Sequence, residues 1–162
     1  MKQSLIILTL LLSCFYANAQ VVVNQTPIPQ KIASYYNLIN VNLINTSGAS
    51  IEGASMRYEV FHGRSSASEL IAKGASASFT ISHTGLSINS ANYQALLGPL
   101  KEEKRPKQAF LDYIVQTGNV PPGKVKVCVT ILSKDQKVLG TSCQESNVLQ
   151  TTSLFLIAPS NK

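Results

Sequence analysis

The chain has no tryptophan, two histidines, three cysteines and eight acidic residues against fourteen basic ones. Asp112 and Asp135 are its only aspartates. Each shortage excludes something. With only His62 and His83, and no HExxH or CxxC spacing, a structural or catalytic zinc site lacks its ligands. Glu102 and Glu103 are chain neighbours on a lysine-rich stretch, not a facing pair of carboxylates across a cleft. There is no Gly-x-Ser-x-Gly elbow and no phosphate-cradling glycine loop. A Ser-His-Asp site assembled in space, for example around His83 and Asp112, is the enzymatic arrangement that the inventory still allows. The reading is therefore of a non-enzyme, with no catalytic residues, no cofactor and no metal.

Long apolar runs are also missing, apart from the first residues. Lys2 supplies a positive end, Leu5 to Leu12 an apolar stretch, and Ala17-Asn18-Ala19 a small-x-small cleavage site before Gln20. Residues 1–19 are thus expected to be a signal peptide, too short to span a bilayer. A second reading competes. Leu11-Leu12-Ser13-Cys14 resembles the lipobox of bacterial lipoproteins, which makes Cys14 a candidate lipidation residue. Either way Cys14 leaves the redox arithmetic of the domain, and an even pair of cysteines remains.

Residues 20–162 are one domain's worth of chain, enough for a hydrophobic core without many staples. The formal charge is +6, and loss of Lys2 with the leader removes one positive unit. The excess is mostly lysine, dispersed along the chain, as on solvated faces and blunted sheet edges. No basic-aromatic cluster appears, which argues against nucleic acid as a partner.

The most informative stretch is Gly118 to Cys143. Val125, Val127, Val129 and Ile131 alternate with Lys124, Lys126, Cys128 and Thr130, the pattern of a strand with one buried face. Lys134 to Lys137 is turn-like, and Val138 to Cys143 resumes the ladder. An even-length loop centred between Asp135 and Gln136 sets Leu132 opposite Leu139, Thr130 opposite Thr141, Cys128 opposite Cys143 and Lys126 opposite Glu145. Facing residues lie within disulfide range. A Cys128–Cys143 disulfide is therefore expected, with two buried free thiols as the alternative; export favours the disulfide. A three- or five-residue loop would break this pairing. Val120-Pro121-Pro122-Gly123 reads as a turn into the first strand.

Elsewhere, Val21 to Val23 is a first strand or the end of the leader, and Thr26 to Pro29 breaks regular structure. Strands are expected over Tyr36–Asn45, Ala54–Phe61, Ser76–Ser82 and Phe110–Val115, with a short apolar piece at Glu69–Ala72. Asn45 to Gly48 is a turn; its Asn45-Thr46-Ser47 sequon is discounted as a glycosylation site. Ser87 to Leu97 is the expected helix, with Tyr93, Leu96 and Leu97 on one face and Gly98-Pro99 as its stop. Lys101 to Lys107 is a charged loop, with an anion-contact patch as the functional alternative. Leu154 to Ile157 is a last apolar run. Short strands with regularly spaced turns and one short helix point to a mainly β fold, an immunoglobulin-like antiparallel β-sandwich.

In chain order the segments INTSGASI (Ile44 to Ile51), SANYQALL (Ser90 to Leu97), QTGNVPPGKVKVCVTIL (Gln116 to Leu132), VLGTSCQ (Val138 to Gln144) and LFLIAPSNK (Leu154 to Lys162) can be taken together. This series resembles the TANFOR-type N-terminal domain of large exported surface proteins in Bacteroidetes. In that family a turn leads to a strand bearing one cysteine, a hairpin partner bears the second, and a closing Leu-x-x-Pro segment hands over to fibronectin-type modules. The family's usual Leu-Pro-Glu-Gly is Val120-Pro121-Pro122-Gly123 here. The resemblance implies an extracellular module with no catalytic residues to carry over. The expected role is a secreted or cell-surface interaction or structural module of a bacterial envelope. Its expected partners are other envelope or extracellular proteins, and it meets a membrane only through a lipid on Cys14. Its oligomeric state is left open. The alternative is a periplasmic chaperone-like or carrier protein for a peptide or apolar ligand.

Overall fold

The computed structural model describes residues 20–64, 67–89, 91–93 and 100–149. The leader with Cys14, Ser90 and residues 94–97 of the expected Ser87–Leu97 helix, and the Leu154–Ile157 run lie outside these residues.

Nine strands and one α-helix are formed among the described residues: β1 (Val21–Gln25), β2 (Val41–Asn45), β3 (Ile51–Arg64), β4 (Ala67–Ala75), β5 (Phe79–Ile81), β6 (Leu86–Ile88), β7 (Lys101–Lys104), α1 (Gln108–Thr117), β8 (Gly123–Leu132) and β9 (Val138–Val148). The fold is mainly β. A three-stranded antiparallel sheet runs β1-β2-β6, and a larger antiparallel sheet runs β7-β4-β3-β8-β9, with β5 paired to the start of β3. Both sheets feed one core. β3 is its centre because it alternates unbroken from Ala54 to Val60: Ala54, Met56, Tyr58 and Val60 are all fully buried. Val125, Val127, Val129 and Ile131 of β8 join them from the neighbouring strand. Val21 and Val23 of β1 with Val41 and Leu43 of β2 supply the small sheet's buried face.

Two glycines permit close approaches that any side chain would block. A Cβ on Gly74 would sit 2.6 Å from the Tyr58 hydroxyl oxygen, so the bare β4 backbone is what the buried ring lies on. A Cβ on Gly140 would strike the Val21 carbonyl, so β1 passes over β9 at that point.

The hairpin has the expected cysteine register but reaches it by another route. Five residues, Ser133 to Lys137, connect β8 and β9, closed by Ser133 N–H donating to the Lys137 carbonyl (2.8 Å). An odd loop alone would shift every pair. An irregularity between Ile131 and Leu132 absorbs the odd residue. Leu132 thus faces Val138, not Leu139, while Ile131 faces Gly140, Thr130 faces Thr141 and Cys128 faces Cys143.

Several expected elements are corrected. Tyr36–Asn45 is not one strand: Tyr35–Leu38 forms a 3-10 turn capped by Ser34, and only Val41–Asn45 pairs. Lys101–Lys104 of the expected charged loop is an edge strand on β4. Ser87 and Ile88, the first two residues of the expected helix, belong instead to strand β6 on β2, followed by a turn in which the Asn89 side chain accepts from Ala91 N–H (2.9 Å). The expected Phe110–Val115 strand is helix α1. Phe110 and Ile114, four residues apart, are its buried pair, and Gly118 closes it in the left-handed conformation at φ 63°. No apolar alternation supports a strand here, because Asp112 falls between Phe110 and Ile114; the i, i+4 pair and the terminal glycine decide the local structure.

Candidate functional site

Of the expected site residues, the structure brings Cys128 and Cys143 together as a disulfide, with Cα atoms 4.0 Å apart. The alternative of buried thiols fails on placement as well as on bonding. Both cysteines project from the face of β8 and β9 opposite the core valines, and Cys143 is exposed. The expected Lys126–Glu145 pair is opposed in register, but Glu145 binds its diagonal neighbour Lys124 instead, Nζ to Oε1 2.7 Å. Lys126 lies over the Phe61 ring, 5.8 Å from its centroid.

Among the described residues His62, His83 and Asp112 each have separate surroundings. His62 Nε2 lies 3.2 Å from the Pro121 carbonyl, and its ring meets Phe110 edge-on at 5.2 Å. It joins α1 to the start of β8. His83 is exposed in the tight Ser82–Gly85 turn. Asp112 accepts from Gln108 on its own helix at 2.8 Å. Among the described residues no group of three or more histidine, cysteine, aspartate or glutamate side chains is gathered to hold a metal. Asn45 of the discounted sequon is buried: its amide donates to the Ala49 and Ser82 carbonyls and its oxygen accepts from Ser47. It organises a turn and offers no free amide.

The most perturbed cluster is not legible in the sequence. The hydroxyls of Tyr35 and Tyr36 both donate to Glu102 Oε1, and Arg105 approaches the other carboxylate oxygen at 3.6 Å. The Tyr35 and Tyr36 rings lie 4.1 Å apart, and Tyr93 stacks on Tyr36 at 5.3 Å. Tyr58 lies beside Tyr35, near enough for the two hydroxyls to influence each other, but its buried hydroxyl meets no partner at full hydrogen-bond geometry among the described residues. Burial by itself would raise the Glu102 pKa, but the two tyrosine hydroxyls and Arg105 outweigh it and hold the carboxyl below its ordinary value. Tyr35 is held far above the usual phenol range, by burial first and then by its bond to Glu102. Tyr36 is pushed up to about 12 for the same two reasons. Burial also raises Tyr58, with the charges of Glu102 and Glu103 adding to it and Tyr35 opposing. Tyr35 and Tyr36 are thus held as neutral donors and the carboxylate is already engaged by three groups. Chemically this is a clamp that fastens edge strand β7 to the 3-10 turn. Tyr35 and Glu102 are 67 positions apart, so no local spacing could reveal it.

The charged stretch is likewise self-paired. Glu103 meets Lys73 at 3.1 Å, and Glu69 meets Lys107 at 3.3 Å and Lys104 at 4.0 Å. Lys104, Arg105 and Lys107 are thus engaged by carboxylates, and Lys101 is the cation of this stretch with no ion pair among the described residues. Beside Tyr93, the side chains of Tyr36, Ile39, Met56 and Leu100 close round ≈ 180 Å³, with no space wide enough for a water molecule. A shallow groove of ≈ 450 Å³ lies between the end of α1 and the end of β9, lined by Gln30, Lys31, Tyr113, Thr117 and Leu149 among others.

No family model matches the chain, and no curated protein matches it. Among solved structures the chain is similar to the exo-chitosanase CsxA of Amycolatopsis orientalis, at 13% identity and a TM-score of 0.35, over 81% of this chain and 11% of that one. A complex of that enzyme with PNP-β-D-glucosamine matches to the same extent. The chain spans 11% of the length of those proteins. Such a likeness carries nothing about activity.

Proposed function

We propose that this chain is an exported, non-enzymatic β module that serves at the cell surface or in the medium by presenting its sheets and edges to other envelope or extracellular proteins. The observation that carries the reading is the position of the Cys128–Cys143 disulfide. It lies on the outward face of the larger sheet, within reach of any surrounding reductant, and disulfides persist in oxidising compartments. The clamp round Glu102 supports the same reading, because its acidic and phenolic groups are occupied by one another and by Arg105. The TANFOR-type resemblance agrees with a surface role, and a leader over residues 1–19 would deliver the chain there, with Cys14 as the lipid attachment point if the lipobox is used.

The periplasmic carrier reading is the weaker one. A carrier site encloses several hundred Å³ of apolar space, whereas the aromatic cleft at Tyr36 and Tyr93 is filled by its own side chains.

The test is a mass spectrum of the chain recovered from the medium, the membrane fraction and the cytosol of its native cells. The expected species begins after residue 19, or at a lipidated Cys14, and has lost two hydrogens at Cys128 and Cys143. Recovery chiefly from the cytosol with both thiols free and the leader intact would refute the proposal.

A further inference from the structure

We infer that β9 is a self-pairing edge, at which two copies of this chain join antiparallel into one continuous sheet. The inference names a partner for the surface module proposed above and rests on that reading.

The Cα separation of 4.0 Å marks Cys128–Cys143 as a narrow, non-hydrogen-bonded pair. In such a pair the backbone N–H and C=O of each residue point away from the other strand. Alternation extends this along the register, so Thr141, Cys143, Glu145 and Asn147 turn their backbone donors and acceptors outward from β8. Among the described residues, no strand pairs with that side of β9. A row of this kind is a ready template for another strand.

The other edges are defended. β7 reads Lys-Glu-Glu-Lys and runs into Arg105-Pro106. β6 is three residues long, and β1 passes against β9 at Gly140. β9 has eleven residues, no proline and no lysine. Its single charge, Glu145, is already paired with Lys124. The disulfide fixes its register to β8, so the template is held rigid and loses little entropy on pairing.

Two further features point to a second copy as the occupant. Val138 and Leu149, at opposite ends of β9, are 65% and 73% exposed. Antiparallel self-pairing centred on Cys143 brings Val138 of each copy beside the Val148–Leu149 end of the other. The same register sets Thr141 opposite Glu145 of the second copy, so no like charges meet. An isologous contact needs such self-complementarity.

The register gives a charge test on the full chain with its disulfide formed. Thr141→Glu places two carboxylates face to face at both symmetric positions, whereas Thr141→Lys places an ammonium against Glu145. Both variants lose the same Thr141–Thr130 hydroxyl contact (3.2 Å), so each is the folding control for the other. The expected result by sedimentation equilibrium is a dimer for the unmodified chain and for Thr141→Lys. For Thr141→Glu the dissociation constant should be weaker by on the order of tenfold or more relative to Thr141→Lys. A second substitution, Glu145→Lys, added to Thr141→Glu should restore the dimer. A chain that stays monomeric at millimolar concentration overturns the proposal, as does equal weakening by both charges, which would mark a partner other than this register. Slow hydrogen exchange at residues 141, 143, 145 and 147 in a monomer would assign the edge to this chain's own remaining residues and also overturn it. A monomer that is nevertheless exported and oxidised leaves the surface-module reading standing, while a reduced cytosolic dimer removes that reading alone.

Discussion

Replacing both Cys128 and Cys143 by serine should leave the fold intact and lower its stability by about 3 kcal/mol. The bond closes a loop with a sequence separation of 15, and cross-linking a loop of that size removes about 10 cal/mol/K from the unfolded chain, or about 3 kcal/mol at 25 °C. Little else changes. The sulfurs lie on the outward face, so serine exposes almost no new apolar area, while Val125, Val127, Val129 and Ile131 keep β8 in the core from the other side. A domain of this size holds roughly 5–15 kcal/mol, so it should remain folded with a melting point lower by roughly 10–15 °C. Urea unfolding followed by far-UV circular dichroism measures the difference, and the denaturant slope should steepen as the uncrosslinked chain expands. A loss below about 1 kcal/mol would mean that the unfolded hairpin is already closed without the bond. Failure to fold at all would mean that the bond, and not the valine face, holds the two strands in place.

Three further outcomes follow from the clamp and its surroundings. Tyr58→Phe removes a buried hydroxyl that makes no full hydrogen bond among the described residues and should be neutral or stabilising by up to about 1 kcal/mol in the same urea assay. Gly74→Ala pushes a methyl group to 2.6 Å from the hydroxyl oxygen and 2.7 Å from two carbons of that buried ring and should cost about 2–3 kcal/mol, and the Gly74→Ala/Tyr58→Phe pair should recover little of it because the ring carbons stay in place. Stability should hold up to about pH 10 and fall above it. Tyr35, Tyr36 and Tyr58 ionise freely in the unfolded chain near their ordinary value of 10.0 but are raised in the fold, to about 12 for Tyr36. The stabilisation is complete below the unfolded value and is lost as pH climbs toward the folded one, by up to roughly 1.4 kcal/mol per pH unit for each tyrosine kept neutral. Urea midpoints between pH 8 and 11.5, with tyrosinate absorbance read alongside, check this; a flat profile would contradict the clamp.

Legibility in the sequence follows the range of the interactions. β8 and the inward side of β3 are readable because apolar side chains repeating at period 2 over seven or more residues line one face of a strand and would be scattered all round a helix. The cysteine register is readable too, although the loop is odd in length and an irregularity at Ile131–Leu132 makes up the difference. Phe110–Val115 misleads because Ile114 and Val115 favour strands by composition, while the helix depends on Phe110 and Ile114 meeting the core on one side. β7 misleads for the opposite reason: Lys-Glu-Glu-Lys has no apolar pattern, and it forms a strand because β4 offers it a ladder and Glu102 is pinned by two tyrosines.

Taken alone, the order of residues determined the mainly β character, the β8–β9 hairpin and the joining of Cys128 to Cys143. All three depend on side-chain alternation and on contacts between chain neighbours, which are written along one dimension. The tertiary structure decided that the disulfide faces outward, that Glu102 sits under Tyr35 and Tyr36, and that no strand among the described residues pairs with the outer side of β9. These depend on which distant segments the two sheets bring together, and burial of apolar area, which chooses that arrangement, is set by the whole chain at once.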